Sequence, residues 1–230
     1  MSTTEIILRF LGAALAGYLL GSIPTGVIVS RIFGGSDPRK LGSGKTGATN
    51  ILRSLGPGPA AIVVVVDLLK GVVPVLLARY VFFGAMAHPG YSAQTWTTLR
   101  DSAEAVAAMA ALLGHNYSVF IRFTGGRGVL TGCGAMTTMT PIATLFAAFA
   151  GITPVYLTRY VSLGSVMGAL MAMVTEVYLT ITHVDSVPHC VFVVLASSIV
   201  IVSHKDNIDR LRAGTERKLG EKATPITQPK

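Results

Sequence analysis

The sequence returns again and again to apolar runs long enough to cross a bilayer, and that repetition restricts the fold more than any other feature. A helix needs about 20 mainly apolar residues to span the hydrocarbon core, and helices satisfy their own backbone groups in lipid. Glu5–Ser30 and Pro57–Phe83 meet that length. Asp101–Phe120 is a weaker, alanine-rich candidate. Thr131–Met139 is short and is ended by Pro141, after which Ile142–Leu157 returns, so these two form a candidate hairpin around a thinned region. Leu163–Ile181 and Cys190–Val202 complete the set. The expected fold class is therefore all-α: an integral membrane protein of seven transmembrane helices. The chain is 13% charged, against roughly 25% in a soluble domain, and no linker divides the apolar blocks. One membrane-embedded domain over residues 1–230 is expected, with 220–230 a disordered tail.

Several residues within these runs stand out. Gly17, Gly21 and Gly26 lie on or near one face of the first helix, beside Ser22 and Pro24, which suits close helix packing and a kink. Ala14-Leu15-Ala16 resembles a signal-peptidase site, but no basic region precedes it and the apolar run continues beyond it. Asp67 and Lys70 share a helix face inside the second span; ionisable groups there are either functional or a mutually neutralising pair. Tyr91 and Trp96, in the polar loop 84–100, suit interface anchors. Cys133 and Cys190 have no CxxC spacing and read as buried filler, neither a disulfide nor a metal site.

Charge sets the orientation. Net charge is +8. Fifteen Lys and Arg fall in loops 31–56, 114–130 and 158–162 and in the tail, against only Arg79 and Arg100 on the other side. Cytoplasmic loops collect Lys and Arg, which predicts an outside N-terminus and a cytoplasmic C-terminus.

Arg39 to Arg53, R-K-L-G-S-G-K-T-G-A-T-N-I-L-R, concentrates glycine, small polar side chains and cations. Glycines let backbone N–H groups converge on an anion, and the cations neutralise it. Topology alone has no need of Gly-Ser-Gly here or of Gly-Gly-Arg-Gly at 125–128. Gly-Ser-Gly-Lys-Thr at 42–46 imitates a P-loop, but Arg39 stands where that motif needs glycine and a membrane span precedes it. His204 and Asp209 fit an H-x4-D spacing, yet five helical residues leave them roughly 140° apart, too far round for a dyad. His115 lacks a comparable carboxylate partner in sequence.

G42-S-G-K-T-G-A-T-N-I-L-R-S-L-G56, D67-L-L-K-G71, L113-G-H-N-Y-S-V-F-I-R-F-T-G-G-R-G-V129 and H204-K-D-N-I-D-R-L-R-A-G-T-E-R-K218 occur in that order. Together they resemble the bacterial acyl-phosphate-dependent glycerol-3-phosphate acyltransferase family (PlsY) over nearly the whole chain. The resemblance implies seven transmembrane helices with the motifs at the cytoplasmic face of the bacterial inner membrane. It implies acyl transfer from acyl phosphate to the 1-hydroxyl of glycerol 3-phosphate, giving lysophosphatidic acid and phosphate in phospholipid synthesis. Glycerol 3-phosphate, acyl phosphate and membrane lipid are the implied partners; nucleic acid, cofactor, metal and an obligate protein partner are not.

Matched motif by motif, the implied catalytic residues are Ser43, Arg53, Arg127, His204 and Asn207. The implied substrate-binding residues are Gly42, Gly44, Lys45, Thr49, Asn50, His115, Gly125, Gly126, Gly128, Arg159, Ser162 and Glu216. Lys45 stands where Asn is commoner, Arg127 where Lys is usual, and Thr124 where many members carry a second Lys. Two phosphorylated substrates require several cations and backbone donors in one cleft. An acyl phosphate is already activated and needs no covalent nucleophile. The alternative is a membrane carrier for phosphate or organophosphate; such proteins usually show repeats and broken helices at mid-membrane, whereas these cations lie in loops at one face.

Overall fold

The computed structural model describes residues 1–84 and 88–225; residues 85–87 of the predicted polar loop and 226–230 of the tail lie outside the described residues. The architecture is all-α, with only two isolated β-bridges among the described residues. Each predicted segment is helical. Ser2 caps α1 (Thr3–Ser22) by accepting from Glu5 N. Pro24, which cannot supply a helical N–H, separates α1 from α2 (Thr25–Ile32). A short helix, α3 (Ala48–Leu55), leads through Gly56 into α4 (Pro57–Leu76), which continues as a π-turn over Leu77–Phe82. Then follow α5 (Ala93–Asn116), α6 (Val129–Met139), α7 (Pro141–Thr158), α8 (Val161–Ile181), α9 (Val187–Ser203) and α10 (Lys205–Arg212).

Four of these units are long and apolar enough to cross a membrane: Thr3–Ile32, Pro57–Phe82, α7 and α8. The bent pair α9–α10, with 54° between its halves, makes a fifth. α6 is too short, at 11 residues. α5 starts earlier than predicted, at Ala93 rather than Asp101, because Ser92 Oγ accepts from Thr95 N and caps it there. That start brings Arg100 into the helix with Asp101 and Glu104, which dilutes its hydropathy. Buried Glu104 binds Arg79 through both oxygens, at 2.8 and 2.7 Å, and Arg100 and His189 lie close by. The two arginines that the sequence placed on a loop face thus stitch the π-turn, α5 and α9 together. Trp96, expected at the lipid interface, is only 3% exposed, packed among Phe83, His88 and Tyr91.

Small residues set the helix spacing. A Cβ on Gly17 or Gly21 would collide with the carbonyls of Ala107 and Ala111, so α1 lies directly against α5. On the other side of the bundle, a Cβ on Gly71 would strike Thr131 O, and one on Gly134 would strike Leu68 O. This brings short α6 against α4 and sets Asp67, at the middle of α4, beside Thr131, whose Oγ1 donates to Asp67 O. The main core, including Val75, Leu112, Met136, Met139, Phe192 and Val193, fills the space between α4, α5, α6 and α9.

Gly71→Val tests the α4–α6 seam. Forcing extra carbon between backbones costs about 1–3 kcal/mol, so the variant should unfold at a lower temperature in detergent than wild type, while Gly58→Val, with open space around it, should not.

Candidate active site

The first basic loop is built around one asparagine. Gly42 and Gly44 both have positive φ, 56° and 69°, which the tight turn requires. Inside that turn sits Asn50, 3% exposed on α3, with Nδ2 directed at the carbonyls of Pro38, Leu41 and Lys45 at 2.8–3.1 Å. Its Oδ1 accepts from Ser43 N at 3.4 Å. Asn50 was predicted to bind substrate; its hydrogen-bonding capacity is instead committed to holding the loop. Arg39, paired with Asp37 at 2.7 Å, reaches across to Ile121 O and Thr124 Oγ1 and ties this loop to the second. Thr46 N and Gly125 O make another link, at 3.5 Å.

The second loop presents Arg127 between Gly126 and Gly128, the latter at φ 79°. The third basic stretch begins at the bend between α9 and α10, where His204 ends one helix and starts the next. The break that an H-x4-D dyad would need is therefore present, but Asp209 is exposed while His204 is buried, and the two form no ion pair.

Glu216 joins the third stretch to the rest. Its Oε1 accepts from Ser162 Oγ at 2.8 Å and Asn207 Nδ2 at 2.6 Å, and its Oε2 accepts from Arg210 Nε at 2.8 Å. Burial alone would raise the Glu216 pKa, but the hydrogen bonds from Asn207, Ser162 and Arg210 outweigh it and hold the carboxyl below the usual range. Glu216 and Ser162 were both predicted to bind substrate; they bind each other, and an anionic carboxylate organises the cleft rather than receiving phosphate.

Two adjoining cavities open around this framework. The larger, about 260 Å³, is bordered by Ser43, Lys45, Thr49, Arg53, His115, Arg127, Gly128, Ser162, His204, Asn207 and Glu216. One side is apolar, formed by Val64, Val129, Leu130 and Val161 from three helices. The smaller, about 190 Å³, shares Ser43, Arg53, Arg127, Asn207 and Glu216 and adds Gly42, Asp206, Arg210 and Arg217. Residues from segments far apart in sequence thus converge on Arg53 and Arg127. Gly44, Gly125 and Gly126 shape the loops without reaching either wall. Arg159 also misses both cavities: in left-handed conformation at φ 65°, it is exposed and bonds Leu219 O at 2.6 Å, pinning the tail.

The predicted tail is pinned further along too. Gly42 N donates to Thr224 O and Ala223 N to Arg53 O, so residues up to 225 lie across the first loop. The site also includes Asp67, Arg210 and Arg217, which the sequence reading left aside. Asp67 was visible as a charge within a span; the arginines were indistinguishable from topology-setting charges.

The electrostatics favour an anion. Burial pushes the Arg53 and Arg127 guanidiniums below their ordinary range, and nearby arginines (Arg217 and Arg210 in turn) add to the effect. Arg53 Nη2 donates to Arg217 O at 2.9 Å, but Arg53 Nε and Arg127 Nε are buried without a partner among the described residues. Buried charged donors without acceptors are costly, and a phosphate group supplies several strong acceptors. His204 Nδ1 lies 2.8 Å from Val200 O. Burial, assisted by Arg127, lowers its pKa to about 4, so the ring is neutral at physiological pH and turns its other nitrogen to the cavity side. In ring-labelled protein, the histidine signal lost in His204→Gln should therefore stay constant between about pH 5.5 and 8, where a free histidine titrates; a midpoint near 6.5 would show a hydrated ring.

Comparison with known proteins agrees with this geometry. The family model "Glycerol-3-phosphate acyltransferase" matches residues 11–214. A glycerol-3-phosphate acyltransferase of Thermus thermophilus is 42% identical over 208 residues, 90% of this chain and 94% of that protein. Glycerol-3-phosphate acyltransferase 1 of Deinococcus radiodurans is 41% identical, covering 92% and 96%. The crystal structure of PlsY (YgiH), an integral membrane glycerol 3-phosphate acyltransferase, in its glycerol 3-phosphate form superposes with a TM-score of 0.77 at 31% identity, over 92% of this chain and 96% of that one. Its lysophosphatidic acid form gives 0.74 at 30% identity. An all-α membrane bundle that gathers arginines, glycines and two buried histidines around a single cleft, and matches these proteins almost end to end, belongs to the glycerol-3-phosphate acyltransferase family.

Proposed function

We propose that this chain transfers an acyl group from acyl phosphate to the 1-hydroxyl of glycerol 3-phosphate, releasing lysophosphatidic acid and inorganic phosphate. The observation that carries the reading is the pair of half-buried guanidiniums, Arg53 and Arg127, lining both adjoining cavities, each with a buried Nε that has no partner among the described residues. Two cavities suit two phosphorylated substrates, and the apolar side of the larger one suits an acyl chain entering between helices. Neither a Ser–His–carboxylate nor a Cys–His arrangement is present among the described cavity residues, in keeping with direct attack on a pre-activated donor.

In this reading the C1 hydroxyl oxygen attacks the acyl carbonyl carbon. The ester C–O bond forms, the carbonyl C–O bond to phosphate breaks, and phosphate leaves with the bonding pair. The hydroxyl proton has two candidate acceptors, the departing phosphate and His204. As the C–O bond to phosphate breaks, the departing phosphate oxygen gains negative charge and becomes the stronger base, while burial disfavours a protonated His204. The phosphate therefore takes the proton and neutral His204 serves as a hydrogen-bond partner. Arg53, Arg127 and the Gly128 turn stabilise the charge that develops on the oxyanion and on phosphate, while Lys45, Thr49 and Ser43 position the substrates.

The donor assay tests the activity. Acyl phosphate should support turnover; acyl-CoA, freed of contaminating acyl phosphate, should not, and equal rates with both would sink the assignment. In the same assay each charged hydrogen bond is worth about 1.5–3 kcal/mol. Arg53→Ala and Arg127→Ala should therefore each lower kcat/KM roughly tenfold or more. Arg127→Lys should keep most activity and Arg53→Lys should not, since Arg53 also uses its fork to bind Arg217 O. Wild-type rates in both alanine variants would remove the proposed cradle.

The same reading places the cleft at the cytoplasmic face of a bacterial inner membrane, with α5 and α6 crossing along with the five longer units and the N-terminus outside. Support comes from the Lys and Arg asymmetry and from the cationic loops all lying at one end of the bundle. With Cys133 and Cys190 replaced, a cysteine at Ser92 should react with impermeant thiol reagents outside intact cells; one at Ser36 or Thr215 should stay protected. The reverse pattern would put the cleft on the wrong side.

A further inference from the structure

Asp67 and Lys70 lie in the middle of α4, 2% and 5% exposed, with Lys70 Nζ 2.6 Å from Asp67 Oδ1. Neutralising one another would be sufficient reason for the pair, except that Asp67 does not face only Lys70. The same Oδ1 lies 3.9 Å from His115 Nδ1, at the end of α5, so His115 has the carboxylate neighbour that its sequence surroundings lack. Asp67 and His115 both reach the wall of the larger cavity.

The other edge of the His115 ring faces the second basic loop. A Cβ added to Gly126 would collide with His115 Nε2, and the Gly126 N–H donates to His115 O at 3.1 Å. Even Gly125 is held this way, since its Cβ would meet the same carbonyl. The imidazole is therefore wedged between a carboxylate fixed in a membrane helix and the backbone one residue before Arg127. The ring is braced on both edges while it lines the cavity, so a structural role stands beside the substrate-binding role predicted for it.

We infer that Asp67 is a positioning residue for acyl transfer: through His115 it seats Gly126 and so aims the Arg127 guanidinium into the cleft. Lys70, 2.6 Å away, holds the carboxylate in place at mid-helix, and α6, bonded to Asp67 O through Thr131, closes the same unit from the far side of the loop. The arrangement gives a loop of three glycines around one arginine a rigid floor, which its own sequence cannot supply.

The inference rests on Arg127 acting as a phosphate ligand, and the test separates the two ideas. His115→Ala removes the strut. Asp67→Asn/Lys70→Met removes both charges together, which avoids leaving one buried and unpaired. Each protein is compared with Arg127→Ala for kcat/KM with acyl phosphate and glycerol 3-phosphate, and by amide hydrogen exchange in detergent micelles. Both variants should lose roughly tenfold in kcat/KM, and combining either with Arg127→Ala should add less than about a twofold further loss. Exchange should quicken over residues 125–129 and stay at the wild-type rate in α7 and α8. Losses that multiply with Arg127→Ala, or unchanged exchange over 125–129, would overturn the strut. Wild-type turnover in Arg127→Ala alone would overturn the phosphate reading, and the exchange data would still decide whether Asp67 and His115 hold the loop.

Discussion

Two guanidiniums confined to one half-buried cleft repel each other and lose hydration, and the cationic loops are arranged around that difficulty. Arg53 and Arg127 are held from opposite directions: Arg53 by α3 and the tail carbonyl of Arg217, Arg127 by a glycine loop lying on His115. Glu216, Asp67 and Asp206 border the cavities and offset part of the excess, and the oxygens of Glu216 are taken by Ser162, Asn207 and Arg210. Against Lys45, Arg53, Arg127, Arg210 and Arg217 they leave the cleft with more cations than carboxylates. Such preorganised donors cost no rearrangement when charge develops on a reacting oxygen.

That arrangement also explains why the bundle is irregular where it is. A regular helix cannot deliver backbone amides sideways, so the site is made from breaks: Pro24, the Gly42–Gly44 turn, the Gly128 start of α6, the left-handed Arg159 and the bend at His204. The membrane helices tolerate these breaks because they fall at one end, where water or protein satisfies the released groups. At the other end the π-turn is tied down by charge, with Arg79, Arg100 and His189 gathered around Glu104.

Much of this was legible in the sequence. Apolar length marked the four long spans and α9, because the bilayer imposes one dimension on them; short, polar α3 and α10 carry no such signal. Glycines beside cations marked the loops, because few other demands call for that composition. What escaped had a common cause: the sequence shows which residues are polar but not what they face. Asn50 and Glu216 read as ligands from the sequence; they line the cavity but also fasten its loops, and Arg159 lies outside it, pinning the tail. Trp96 looks like an anchor and is core. The start of α5 was hidden by Arg100 and Asp101, which are paired within the bundle rather than excluded from it. Asp67 and His115, forty-eight residues apart, become neighbours only when Gly71 lets α4 and α6 close and Gly114 lets α5 approach α1.

The carboxylate at the hub, Glu216, and the carbonyl that receives Arg53 both lie beyond α9, in a stretch synthesised after every helix of the bundle. During insertion the earlier loops already have α3 and His115 to hold Arg53 and Arg127, but the clasp that joins α8, α10 and the Arg53 fork is still missing. The helices can then be threaded through the membrane before the cleft is closed from its C-terminal side.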